Sequence, residues 1–158
     1  MTVKIDLVFD LTPQIKAQVH SALRRIVHTI APSILYTAID SMSGPKRGRV
    51  YKRGNITHVA SAPGEPPARD TGNLASSGYL EEVDDLTMRV GFTASYAAIL
   101  EGTLLQSPYI SGGFYDLTEA LGVWAAPSAR GVLPRPFLRP AVEAHREAFE
   151  SQVKAVLP

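Results

Sequence analysis

Glycine and proline punctuate this 158-residue chain very unevenly, and their distribution limits its fold more than any other feature. Of 12 glycines and 12 prolines, 10 fall in residues 44–78 and 9 in 108–140, leaving 5 for the other 90 positions. Glycine is costly in regular structure and proline removes a backbone donor, so neither window can be one long helix or a central strand. Regular elements must lie before, between and after them. Length alone predicts one domain over 1–158, large enough to bury a core, with an arm at 44–69 and an insertion loop at 104–134.

The predicted elements fit that frame. Val3, Ile5, Leu7 and Phe9 alternate with Lys4 and Asp6, the period of a half-buried strand over 2–9. Asp10 or Thr12 then caps a helix that opens on Pro13, where a missing N–H costs nothing. Ile15, Val19, Leu23 or Ala22, Ile26 and Ile30 follow at three- and four-residue steps, and Ile34, Leu35, Ala38, Ile39 and Met42 extend the stripe past Pro32. Either one helix kinked near Pro32 or two helices joined at Ala31 would satisfy this pattern. Gly44-Pro45 ends it.

Gly54-Asn55 between Arg49–Arg53 and Ile56–Ser61 predicts a tight hairpin, followed by an extended proline-rich connector over 62–69. Such a hairpin alone is marginal in water and needs a surface to lie on. A second hairpin is expected from Tyr79–Val83 and Leu86–Phe92 around Asp84-Asp85, then a short helix from Tyr96 closed by Gly102 and a brief one within 116–124. Pro140 predicts the first position of a C-terminal helix carrying Phe137 or Leu138, Val142, His145, Phe149, Val153 and Val156 on one face. The fold class expected is α+β: a small antiparallel sheet packed against a long N-terminal helix and a C-terminal helix, with an extended β-hairpin arm and a long aromatic loop.

The net charge of +1 argues against a strongly basic nucleic-acid binder, but it averages two opposed regions. Residues 44–78 carry a net +4 and 79–107 a net −4. The absence of cysteine removes disulfides, thiolate metal sites and cysteine nucleophiles, and the acidic first ten residues do not resemble a signal peptide, so a reducing, intracellular space is expected. The longest uncharged runs, 26–39 and 102–115, are 14 residues each and contain proline, short of the roughly 20 a membrane span needs, so no membrane partner is expected.

Enzyme signatures are missing. The four histidines stand singly, there is no phosphate loop, and GxSxG does not occur, so no catalytic residue, metal or cofactor is expected. Glu81, Glu82, Asp84 and Asp85 read as a solvated turn. In the basic run Lys46, Arg47, Arg49, Lys52 and Arg53, a strand would put Arg47, Arg49, Tyr51 and Arg53 on one face and Lys46, Gly48, Val50 and Lys52 on the other. Two readings fit: a solvated or subunit-contacting edge, or nonspecific, salt-sensitive contact with nucleic-acid phosphate.

Three phrases in order carry a resemblance. The stretch 66–77, PPARDTGNLASS, is similar to the "P-x-DTG-x-L-x-x-S" phrase of small tailed-phage proteins described as tail components or head-to-tail joining (tail completion) proteins. Val90-Gly91-Phe92 with 96–103, YAAILEGT, resembles that family's "VG…YA…(V/L)E-x-GT", and 135–141, RPFLRPA, its "(R)PFLRPA". The chain departs from the pattern in placing Gly102 directly after Glu101 and in its long insertion over 104–133.

The resemblance implies a non-enzymatic virion protein of a long-tailed phage or prophage, a siphophage in type, assembled in the host cytoplasm. It would form a homo-oligomeric ring, six-fold, at the neck or upper tail. Its partners would be a connector or stopper and a tail terminator or tube, with DNA passing through and touching it transiently. Asp70, Thr71, Gly72, Leu74, Tyr96, Glu101, Gly102, Thr103, Arg135, Pro136, Phe137, Arg139 and Pro140 would then determine the fold, Asp70 and Thr71 as a helix cap. Lys46, Arg47, Arg49, Lys52 and Arg53 would face the lumen or a neighbour, and Glu81, Glu82, Asp84 and Asp85 would offer the complementary subunit face.

Overall fold

The computed structural model describes residues 2–3, 12–102 and 133–157. The chain is α+β, with four helices and two antiparallel sheets among these residues. They form two compact units, one drawing on Met1–Ile39, Gly78–Phe92 and Leu138–Pro158, the other on Asp40–Ser77 and Thr93–Phe137.

In the first unit, helix α1 (Pro13–Ser41) opens at Pro13 as its sequence predicts, with Lys16 donating to the Thr12 carbonyl at 2.9 Å. It runs unbroken through Pro32, so the one-helix alternative holds. Proline leaves the carbonyl four residues earlier without its usual donor. Around this gap the hydroxyls of Thr29 and Ser33 donate back to the carbonyls of Arg25 and Thr29, at 2.8 and 3.0 Å.

The buried stripe of α1 is Val19, Leu23, Ile26, Val27, Ile30, Ala31, Ile34 and Ala38, each buried isoleucine or leucine contributing about 1.5–3 kcal/mol. Ile15, which the periodicity assigns to the same stripe, is instead 42% exposed.

The sheet that α1 covers has the order β1-β5-β4, built from β1 (Thr2–Val3), β4 (Gly78–Asp84) and β5 (Thr87–Phe92). The rest of the strand predicted over 2–9 lies outside the described residues. Val90 and Met88 of β5 are buried, and a Cβ on Gly78 would meet the side chains of Leu35 and Ile39 at 2.9 and 3.4 Å, so α1 presses directly on this sheet. Opposite Met88 and Thr87 stand Glu82 and Asp84, leaving Val83 as the extra residue of a bulge.

Helix α4 (Leu138–Val156) starts two residues before Pro140, a proline being tolerated in a first turn whose N–H groups have no intrahelical acceptor. Its predicted stripe of Val142, His145, Phe149, Val153 and Val156 is the half-buried face, and His145 Nε2 meets Thr37 Oγ1 of α1 at 2.9 Å.

The second unit holds the hairpin of β2 (Val50–Arg53) and β3 (Ile56–Val59), with Arg53 opposite Ile56 across Gly54-Asn55, as predicted. It also holds α2 (Asn73–Ser76) and α3 (Ala97–Glu101), the latter closed by Gly102 in the left-handed conformation at φ 73°. Most of the insertion predicted over 104–134, including the helix expected in 116–124, lies outside the described residues, as does Thr103.

Candidate functional site

The three phrases, dispersed over some seventy residues of sequence, hydrogen-bond to one another in the second unit. Asn73 of the first donates its side-chain amide to the Tyr96 hydroxyl of the second at 3.1 Å, and Thr93 N–H donates to the Ser77 carbonyl at 2.9 Å. The second phrase grips the third by two bonds. Arg135 N–H donates to the Leu100 carbonyl at 2.7 Å, and Phe137 N–H donates to Glu101 Oε2 at 2.9 Å.

That carboxylate serves a donor at the threshold of α4, where no intrahelical acceptor exists. Phe137 is 2% exposed and among the largest fully buried side chains, with Leu74 buried at 7% in the same unit. The Arg135 guanidinium also donates to the Ser61 carbonyl at 3.3 Å, and Gly64 N–H donates to the Pro134 carbonyl at 2.9 Å, tying the connector into the same knot. Pro136 is half-buried there, whereas Arg139 and Pro140 are exposed on the first turn of α4.

One assignment changes. Asp70 and Thr71 are expected to cap α2, but the cap position is Gly72 at φ 80° with no side-chain bond to the helix; Thr71 reaches Asn73 N–H only at 3.4 Å. The Asp70 carboxylate is turned to the hairpin arm instead. Its Oδ2 accepts from Arg53 at 2.8 Å, and its Oδ1 lies 3.5 Å from His58 Nε2. His58 stacks on Tyr51, its partner across the hairpin, with ring centroids 5.6 Å apart. Arg53 and Asp70 carry opposite charges 17 residues apart, and the tertiary fold brings them together.

The rest of the basic run is divided in use. Lys46 Nζ donates to the Ser41 carbonyl at 2.8 Å, and partial burial pushes its ammonium below the usual range, against the smaller, opposing pull of the nearby Glu65 carboxylate. Glu65 was not singled out by any motif, yet it accepts the N–H groups of Ala62 at 2.8 Å and Arg47 at 3.1 Å, which hold its carboxyl below the usual carboxylate range. The Arg47 guanidinium pairs loosely with Glu65 at 3.8 Å. Among the described residues, Arg49, just before β2, and Lys52 within it have no ion-pair partner.

The acidic hairpin belongs to the first unit and is met there by Arg24, Arg89 and His28. Glu82 lies 3.1 Å from Arg24 and 3.5 Å from His28, Asp85 lies 3.5 Å from Arg24, and Glu81 pairs with Arg89. Asp84 Oδ1 accepts the Leu86 N–H at 2.9 Å, shaping the turn. The i, i+4 spacing of Arg24 and His28 shows that they share a helix face. What stands opposite that face is a tertiary fact.

Among the described residues, no group of three or more His, Asp or Glu is disposed to hold a metal ion, and no helix is long and apolar enough to cross a membrane. No protein-family model, curated protein or solved structure matches the chain.

Proposed function

We propose that this chain is a structural protein of the virion of a long-tailed phage or prophage, one subunit of a ring at the neck or upper tail that joins the head connector to the tail and lets DNA pass. The carrying observation is the triplet of phrases, which stand in the family's order and, in the fold, hydrogen-bond to one another through Asn73–Tyr96, Arg135–Leu100 and Phe137–Glu101. Three phrases far apart in the chain thereby build one hydrogen-bonded junction. The reading is non-enzymatic: the bonds of these residues hold the backbone and present no convergent acid, base or nucleophile among the described residues.

A ring closes when one face of a subunit meets a different face of the next, and the oppositely charged windows suit such a contact. The alternative, a nonspecific nucleic-acid module on the arm, has less support, because Lys46, Arg47 and Arg53 are engaged within the chain. Native mass spectrometry and electron microscopy of purified virions test the proposal. A six-fold ring between connector and tail is expected, and a strictly monomeric protein absent from virions would sink it. Salt-titrated DNA binding tests the alternative: Lys52→Glu with Arg53→Glu abolishes binding if the arm is a nucleic-acid module and leaves it unchanged if it is not.

A further inference from the structure

Two strand edges are open among the described residues, and their chemistry is complementary. One is the outer edge of β4, the last strand of the order β1-β5-β4. The other is the outer edge of β2, which pairs only with β3. Ala60 N–H donates to the Arg49 carbonyl at 2.9 Å, so by the antiparallel alternation Tyr51 and Arg53 bond to β3, while the backbone groups of Val50 and Lys52 point outward.

Both edges carry apolar side chains that solvent reaches, Val50 at 60% and Tyr51 at 39% on β2 and Leu80 at 37% and Val83 at 48% on β4. Unpaired, such edges invite strand addition. Charge selects the pairing. Arg49 and Lys52 lack ion-pair partners among the described residues, whereas Glu82 and Asp85 share the single guanidinium of Arg24, with His28 3.5 Å from Glu82, and Glu81 pairs with Arg89. The β2 edge would be repelled by a second β2 edge, as would β4 by β4.

We propose that the β2 edge of one copy adds to the β4 edge of a second copy, extending its sheet to β1-β5-β4-β2. Val50 and Tyr51 then lie along Leu80, and Arg49 and Lys52 answer the negative charge of Glu81 and Glu82. The bulge at Val83 limits the pairing to the part of β4 that precedes it. The contact is heterologous, one face to a different face, so it propagates from copy to copy. It deepens the ring reading by naming the strands of the subunit junction.

Complementation between two variants tests this. Arg49→Glu/Lys52→Glu destroys the arm edge and Glu81→Lys/Glu82→Lys the sheet edge; each alone is expected to be monomeric by native mass spectrometry. In an equimolar mixture the unaltered arm of one variant meets the unaltered sheet edge of the other, and the two reversed edges are again opposite in charge, so mixed assemblies that alternate the two variants are expected. Wild-type-like assembly of either variant alone, or no mixed assembly on mixing, overturns the proposal.

Because the chain has no cysteine, a second measurement avoids charge reversal. Chains carrying Val50→Cys and chains carrying Leu80→Cys, mixed and oxidised, are expected to give a mixed disulfide dimer well above either homodimer. Equal or dominant homodimers overturn the proposal. A ring seen in virions into which the variants still assemble removes the strand junction and leaves the ring. A Val50–Leu80 crosslink in a protein absent from virions does the reverse.

Discussion

The Glu101 carboxylate accepts the backbone N–H of Phe137 at 2.9 Å across 36 residues, one of two bonds that join the second phrase to the third, and it does so at the point where α4 begins. Replacing it leaves a donor beside a fully buried phenylalanine without its acceptor. Glu101→Ala is expected to lower unfolding free energy by about 1–3 kcal/mol, and Glu101→Gln, which keeps an acceptor oxygen, by less. Urea denaturation of the three proteins checks this; equal stability of all three would show that the bond contributes nothing.

Asp70 offers a test that separates its two conceivable roles. If it anchors the arm, Asp70→Ala raises amide hydrogen exchange in β2 and β3 and leaves α2 protected. The exposed pair with Arg53 limits the global loss to about 1 kcal/mol or less. Deprotection confined to Asn73–Ser76 would restore the capping role.

Gly48 sits at the base of the same arm, where a Cβ would lie 2.5 Å from the Ala60 carbonyl oxygen and 2.7 Å from the Ser61 backbone. Backbone cannot step aside as a side-chain tip can. Gly48→Ala is expected to destabilise by about 1–3 kcal/mol and to shift the amide resonances of Ala60 and Ser61. An unchanged melting curve and spectrum would contradict that close approach.

Glu65 sets a pH dependence. Its folded-state pKa lies below the unfolded value of about 4.3, so the folded chain binds fewer protons in that range. The stabilisation is fully present above the unfolded pKa and is lost as pH falls through the folded one. Thermal melts of wild type and Glu65→Gln should therefore differ most near neutrality and converge in acid; a gap that widens on acidification would reverse the sign.

The α1 stripe is tested by two residues of one pattern. Leu23, at 0% exposure, is expected to cost about 2–5 kcal/mol as Leu23→Ala, while Ile15→Ala, at a site left 42% exposed, costs about 1 kcal/mol or less. Similar losses at both positions would place Ile15 in the core.

Much of the secondary structure is legible in local pattern because local physics decides it. Pro13 opens α1, Gly54-Asn55 turns the arm, Gly102 closes α3, and the three- and four-residue spacing from Val142 to Val156 marks the inward face of α4. Where two local solutions compete, the pattern is silent. Pro32 permits a break as readily as a continuous helix, and the apolar residues on both sides of it, packed as one stripe, decide for continuity.

The sequence by itself determined the α+β class and the order of the elements. The tertiary structure decided which side chains meet. Asp70 precedes a helix and reads as its cap, yet its charge goes to Arg53 and His58; Glu65 has no motif, yet it holds two backbone donors; Glu101 reads as the end of a short helix, yet its carboxylate meets Phe137. Periodicity and turn chemistry act over a few residues and are written in the chain, whereas the partner of a carboxylate is chosen by whichever donor the fold brings within about 3 Å.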